Sequence, residues 1–139
     1  MTMSRSDLQK LSQSKFDDAL FLCRQKRFSS AYYLAGYSIE MGLKACAAKQ
    51  VHQHQIPDRT FVNGIFTHDL AKLVGLAGLT SELKANQDFD HVFQANWAIT
   101  AEWSPDSRYA INDSMSAEWL LTAIGDDNHG VFKWIKVHW

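Results

Sequence analysis

Two short runs and one helical stripe hold the residues able to do chemistry. In Thr67-His68-Asp69 an imidazole stands where a helix should begin. There it can exchange a proton as acid or base, or bridge to a neighbouring element. The plainer use of the same three residues is a capping segment. In Ser107-Arg108-Tyr109, just behind Pro105, a guanidinium can hold a phosphate through two parallel hydrogen bonds and stack on an aromatic ring. The plainer use is an arginine that satisfies the last carbonyls of the preceding helix. The stripe lies between Ser29 and Lys49. At roughly 100° per residue, Tyr33, Tyr37, Glu40 and Lys44 fall in one narrow sector of a helix. Glu40 stands four residues before Lys44, the order that makes an ordinary helix ion pair.

Other chemistry is poorly provided for. His52 and His54 lie two apart but have no cysteine or carboxylate at ligand spacing, so no metal site is expected. There is no glycine-rich phosphate loop, zinc motif or nucleophile elbow, and no cofactor is expected. Ser38 sits between Gly36 and Gly42, inside a helix, and reads as part of a small-residue seam.

That seam defines the element that must position everything else. Ser29–Lys49 has no proline and only three charges, so it belongs at the centre of a bundle. Opposite the tyrosine and charge stripe run Ala31, Ala35, Ser38, Gly42 and Ala45. Gly36 and Gly42 each cost about 1 kcal/mol of helix propensity against alanine, and close packing is the expected compensation. Phe28 followed by Ser29 reads as a hydrophobic residue ahead of an N-cap. Before it, Ser4 or Ser6 caps an amphipathic helix carrying Leu8, Leu11, Phe16, Ala19, Leu20 and Cys23 and ending near Arg24. The short link makes the two helices antiparallel neighbours.

Gln50 to Ile65 reads as a loop. Thr67 then caps a short helix with Leu70, Leu73, Val74 and Leu76 on its buried face, and Thr80 or Ser81 opens a turn or two through Leu83. Asp88–Trp103 reads as a third major helix carrying Phe89, Val92, Phe93, Trp97, Ile99 or Thr100, and Trp103, ended by Ser104-Pro105-Asp106. Ser114 or Ser116 starts another through Leu120, Leu121 and Ile124. A short terminal helix docks through Val131, Trp134 and Ile135, and Lys133, Lys136 and His138 give it a small basic edge. Of the five tryptophans, Trp97, Trp103 and Trp119 fall at helical spacing and are expected in the core or a dimer interface. Sustained strand alternation is nowhere present, so the class is all-α: an up-and-down bundle of about five helices with short accessory helices.

The totals agree with one domain over residues 1–139. A balance of 46% hydrophobic and 21% charged residues is that of an ordinary globular chain, and a net charge of −1 gives no global field towards nucleic acid. Any nucleic-acid contact must be local. Cys23 and Cys46 lie in helical patterns and read as reduced, buried thiols, which suits the cytoplasm. No stretch is apolar enough for a signal peptide or a bilayer span, so no membrane association is expected.

Four blocks taken together, FSSAYYLAGYSIEMGLKACAAK, FTHDLAKLVGLAGL, NWAITAEWSPDSRYA and GVFKWIKVHW, resemble the bacterial HEPN-domain family, in order, from about Leu8 to Trp139. The resemblance implies a helical bundle that forms homodimers. It also implies association with a nucleotidyltransferase-like partner in toxin–antitoxin or defence systems. Its members are metal-independent endoribonucleases or non-catalytic modules that bind RNA or nucleotides. The ribonucleases pair an arginine with a histidine, with four to six residues between them. Arg108 stands at the arginine's place, but the positions for the histidine hold Asp113, Ser114 and Met115. The motif therefore implies a chain that is inactive or uses a variant site, with Arg108 and His68 as its candidates. The leading expectation is a non-catalytic homodimeric module whose polar groove is lined by Tyr33, Tyr37, Glu40, Lys44, His68, Arg108 and Tyr109. A variant endoribonuclease and a purely structural interaction module are the alternatives.

Overall fold

A computed structural model describes residues 3–139; Met1 and Thr2, part of the N-terminal stretch read above, lie outside the described residues. Among the described residues the chain forms eight α-helices and one short 3-10 helix, and no strand. They are α1 (Arg5–Arg24), α2 (Phe28–Ala48), α3 (Arg59–Gly64), α4 (Leu70–Leu76), α5 (Thr80–Phe89), α6 (His91–Ala101), α7 (Ser114–Gly125) and α8 (Val131–His138), with the 3-10 turn at Pro105–Tyr109. None of the helices is long and apolar enough to cross a membrane.

α2 is the centre, packed against α1, α4, α7, α8 and the 3-10 turn. Its small seam does what its composition requires. Ala31, Ala35, Ser38, Gly42 and Ala45 are all buried. The Ser12 hydroxyl of α1 donates to the Ser38 carbonyl at 2.6 Å, a bond possible only where two helix backbones come close. A Cβ on Gly42 would lie 3.1 Å from Ser12 Oγ and 3.0 Å from Ile135. At Gly36 the demand is absolute: a Cβ would stand 2.1 Å from the Trp103 ring, so the indole lies directly on the helix backbone. The propensity lost at the two glycines is thus exchanged for contact.

α1 begins in a capping box: Asp7 N–H donates to Ser4 Oγ and Ser4 N–H donates to Asp7 Oδ2, both at 3.1 Å. Ser4 rather than Ser6 is the cap. At the other end, Val131, Phe132, Trp134 and Ile135 seat α8 in the core.

Several boundaries differ from the sequence reading, each for a local reason. α2 starts at Phe28 with Arg27 as its N-cap, because Lys26 turns the chain through φ 60° immediately before it. Ser29 is thereby inside the helix, and its hydroxyl instead accepts from Asn112 N–H at 2.9 Å. Asp69, not Thr67, caps α4, accepting from Lys72 N–H at 3.1 Å, while Thr67 Oγ accepts from Asp69 N–H. The loop Gln50–Ile65 contains α3, started by Asp58, whose carboxylate accepts from Thr60 N–H at 2.6 Å. Asp88–Trp103 is not one helix. Asp90 is extended (φ −131°, ψ 99°), ends α5 and caps α6 by accepting from Val92 and Phe93 N–H, each at 3.0 Å. Phe89 (90%) and Val92, on either side of the break, are exposed. Trp97 and Trp103 are core, but Trp119 is 62% exposed on the outer face of α7.

Candidate functional site

The stripe on α2 forms, and elements from both sides close on it. Tyr33 and Tyr37, one turn apart, stack with ring centroids 5.9 Å apart at 27°. Tyr33 also lies 6.2 Å from the Trp103 ring, the same indole that covers Gly36. The 3-10 turn, started by Ser104 Oγ accepting from Asp106 N–H, brings Arg108 to this end of the stripe. The Arg108 guanidinium carbon sits 4.8 Å from the Tyr109 ring centroid. Tyr109, and secondarily Tyr33, raise the already high pKa of Arg108, so it is a permanent cation. No hydrogen bond joins it to the carbonyls at the end of α6; the guanidinium is exposed and faces a cleft of about 390 Å³. Leu22, Ser29, Ser30, Tyr33 and Leu34 complete that cleft.

Two turns further along α2 the stripe changes character. Glu40 is 1% exposed, a carboxylate inside the apolar bundle, and such a group must be paired. Lys44 Nζ donates to Oε2 at 3.3 Å and His68 Nδ1 lies 2.9 Å from Oε1. An ionised carboxylate only accepts, so Nδ1 carries the proton of that bond. The imidazole is thereby oriented while 56% of its side chain stays exposed. Tyr37 lies between the two ends. Burial first, then the Glu40 charge, raises its pKa, so the phenol keeps its proton.

The residues expected at the site therefore fall in two groups along one face of α2, with Tyr109 reaching it only through Arg108. Arg108, with Tyr109 against it, is beside Tyr33, and His68 and Lys44 are beside Glu40. Tyr33 and Glu40 are seven residues apart, about 10 Å along the axis at 1.5 Å per residue. His52 and His54 are exposed in the α2–α3 loop, and among the described residues no group of three or more His, Cys, Asp or Glu side chains is placed to hold a metal ion.

The structure adds groups that the sequence did not point to. Trp103 Nε1, Ser107 Oγ and Asn112 Nδ2 are buried without a hydrogen-bond partner, all on the connector that carries Arg108. Buried polar atoms are ordinarily satisfied by protein, water or ligand, so this connector has unused hydrogen-bonding capacity. A second histidine–carboxylate pair also appears: His129 Nδ1 lies 2.6 Å from Asp90 Oδ2, joining the α7–α8 loop to the α5–α6 break. The bond to His129, followed by the Phe93 N–H, lowers the Asp90 pKa. With the partners thirty-nine positions apart in the chain, no local pattern could have announced the pair. Comparison of the chain with family models, curated proteins and solved structures gave no match.

Proposed function

We propose that this chain is a HEPN-type helical module that works as a homodimer and holds a phosphate of RNA or of a nucleotide without cleaving it. In this reading it acts beside a nucleotidyltransferase-like partner in a toxin–antitoxin or defence system. The observation that carries the reading is the position of Arg108: an exposed, permanently charged guanidinium at the mouth of the Ser29–Ser30–Tyr33 cleft, next to stacked tyrosines. Guanidinium for phosphate and an aromatic face for a base are the two elements that single-stranded nucleic acid needs.

The variant endoribonuclease draws support from one feature, the oriented and exposed imidazole of His68 on Glu40. A general acid and the group that stabilises the phosphorane must meet at one phosphate. Their neighbours on α2, Tyr33 and Glu40, are about 10 Å apart along the axis, so in that reading the second subunit supplies one of the two groups at a shared phosphate. Incubation of purified protein with mixed-sequence RNA in chelator distinguishes the two. Binding without cleavage is the expected result. Cleavage lost in both Arg108→Ala and His68→Ala, with the fold intact by circular dichroism, would replace the binding module with the nuclease.

A further inference from the structure

The net charge of −1 conceals one uneven stretch. From Ala19 to Ile39 the chain carries Arg24, Lys26 and Arg27 and not one acidic residue. All three cations are exposed at the junction of α1 and α2. The turn there joins Leu22 to Ser29, both of which line the Arg108 cleft, so the turn flanks the cleft mouth. The cleft itself has no acidic side chain, and Arg108 is its only charge. Arg24 lines a different cleft, together with Glu118 of α7. Lys26, Arg27 and Arg108 have no carboxylate partner among the described residues. Of the acids on the connector, Asp113 caps α7 by accepting from Ser116 N–H at 2.8 Å, and Asp106 lies outside the cleft lining.

The backbone fixes where Lys26 and Arg27 stand. Arg27 N–H donates to the Leu22 carbonyl at 2.8 Å and Lys26 N–H to the Cys23 carbonyl at 3.0 Å. These are the paired bonds that close a helix through a left-handed residue. That residue is Lys26, at φ 60°. Glycine takes this conformation freely and is the usual choice, whereas the Cβ of a lysine disfavours it. Such outliers collect at functional positions. Arg27 then begins α2, its carbonyl accepting from Ala31 N–H at 3.0 Å, so it stands one turn, about 5 Å, ahead of the Ser30–Ala31 level of the cleft. α2 has no side-chain cap here, and the positive end of its backbone dipole adds to the same field.

We infer that the α1–α2 turn is a second phosphate-contact site, and that the ligand of the Arg108 cleft is a single-stranded RNA rather than a free nucleotide. Lys26 and Arg27 hold the phosphates next to the one that Arg108 holds. The inference rests on the reading of that cleft as a phosphate site. A cleft of about 390 Å³ encloses one small group, and the two cations lie outside it. A free nucleotide seated at Arg108 leaves them unused. A strand that continues past the mouth meets them in turn, and each neutralised phosphate releases counterions and adds to the salt dependence. An exposed cationic track beside an aromatic face is the arrangement that single strands follow.

The test compares two ligands, adenosine 5′-monophosphate and a labelled single-stranded RNA of about six nucleotides. Each is titrated into the full chain and into Arg108→Ala, Arg27→Ala, Lys26→Gly and Arg24→Ala. Arg27→Ala and Lys26→Gly should each weaken the RNA severalfold and lower its salt slope by about one, with the mononucleotide unchanged. Arg108→Ala should weaken both ligands and Arg24→Ala neither. Lys26→Gly also relieves the left-handed backbone, so it should melt at a higher temperature than the parent. Weaker binding by a more stable protein is not a folding defect. If both turn variants bind the RNA like the parent while Arg108→Ala is weakened, the inference is overturned and the cleft reading stands. Undiminished binding by Arg108→Ala, or no RNA binding by the parent, overturns both. Equal losses for the mononucleotide in the turn variants, or equal affinity for a duplex of the same length, would show a general field rather than a strand path and overturn the inference.

Discussion

Two histidines in this bundle place Nδ1 on a carboxylate, and the two pairs differ in everything around that bond. Glu40 is buried mid-helix, where backbone N–H groups are already used, so its charge is met only by side chains, Lys44 and His68. Asp90 stands at a helix start and receives two backbone N–H groups as well as His129. The histidines differ in the same way. His129 is held through its backbone too, its N–H donating to Asp126 and its carbonyl accepting from Asn96. His68 has no such backbone tie, and its ring is more exposed, 56% against 41%. One pair orients a ring that faces solvent. The other fastens a loop. A short histidine–carboxylate distance therefore does not identify a site; what else grips each partner decides it.

The largest expected effect comes from removing the buried acid. Glu40→Ala leaves Lys44 without its partner and opens a void, and should cost about 3 kcal/mol in denaturant unfolding. A loss below about 1 kcal/mol would mean that the carboxylate is already solvated and that the contrast with Asp90 is false. The second test is acid titration of stability. The Asp90 pKa is lowered in the fold, so its contribution is fully present above the ordinary carboxylate value and disappears as pH falls through the lowered one. Asp90→Asn should be less stable than the parent at neutral pH and show a shallower loss on acidification. Parallel curves for the two proteins would contradict this assignment. The smallest effect separates the rings themselves. His68→Ala should change stability by about 1 kcal/mol or less. His129→Ala should be the more destabilising of the two, with faster hydrogen exchange in α6 and α8.

The same contrast explains how far the sequence could be read. The α2 seam was legible because Ala31, Ala35, Ser38, Gly42 and Ala45 recur at helical spacing and small side chains have few other uses on a central helix. The stripe was legible for the same geometric reason, as was the all-α class. The break at Asp90 was not, since Phe89, Val92 and Phe93 carry an apolar pattern across it and neither glycine nor proline marks it. The Asp90 cap on Val92 and Phe93 N–H and the tertiary bond to His129 together favour the kinked arrangement. Trp119 fits the period of a core residue, but periodicity cannot say whether anything lies opposite that face. Ser29 was misread because its hydroxyl serves Asn112, eighty-three residues away, rather than its own helix end. Local chemistry was readable; long-range pairing was not.

The most direct measurement of the central claim is equilibrium binding of fluorescein-labelled single-stranded RNA to the parent protein, Arg108→Ala and His129→Ala, across a range of salt concentrations. If Arg108 holds a phosphate, its loss weakens binding at least tenfold and lowers the salt slope by about one, while His129→Ala binds like the parent. Equal affinity and equal slope for Arg108→Ala would contradict the account.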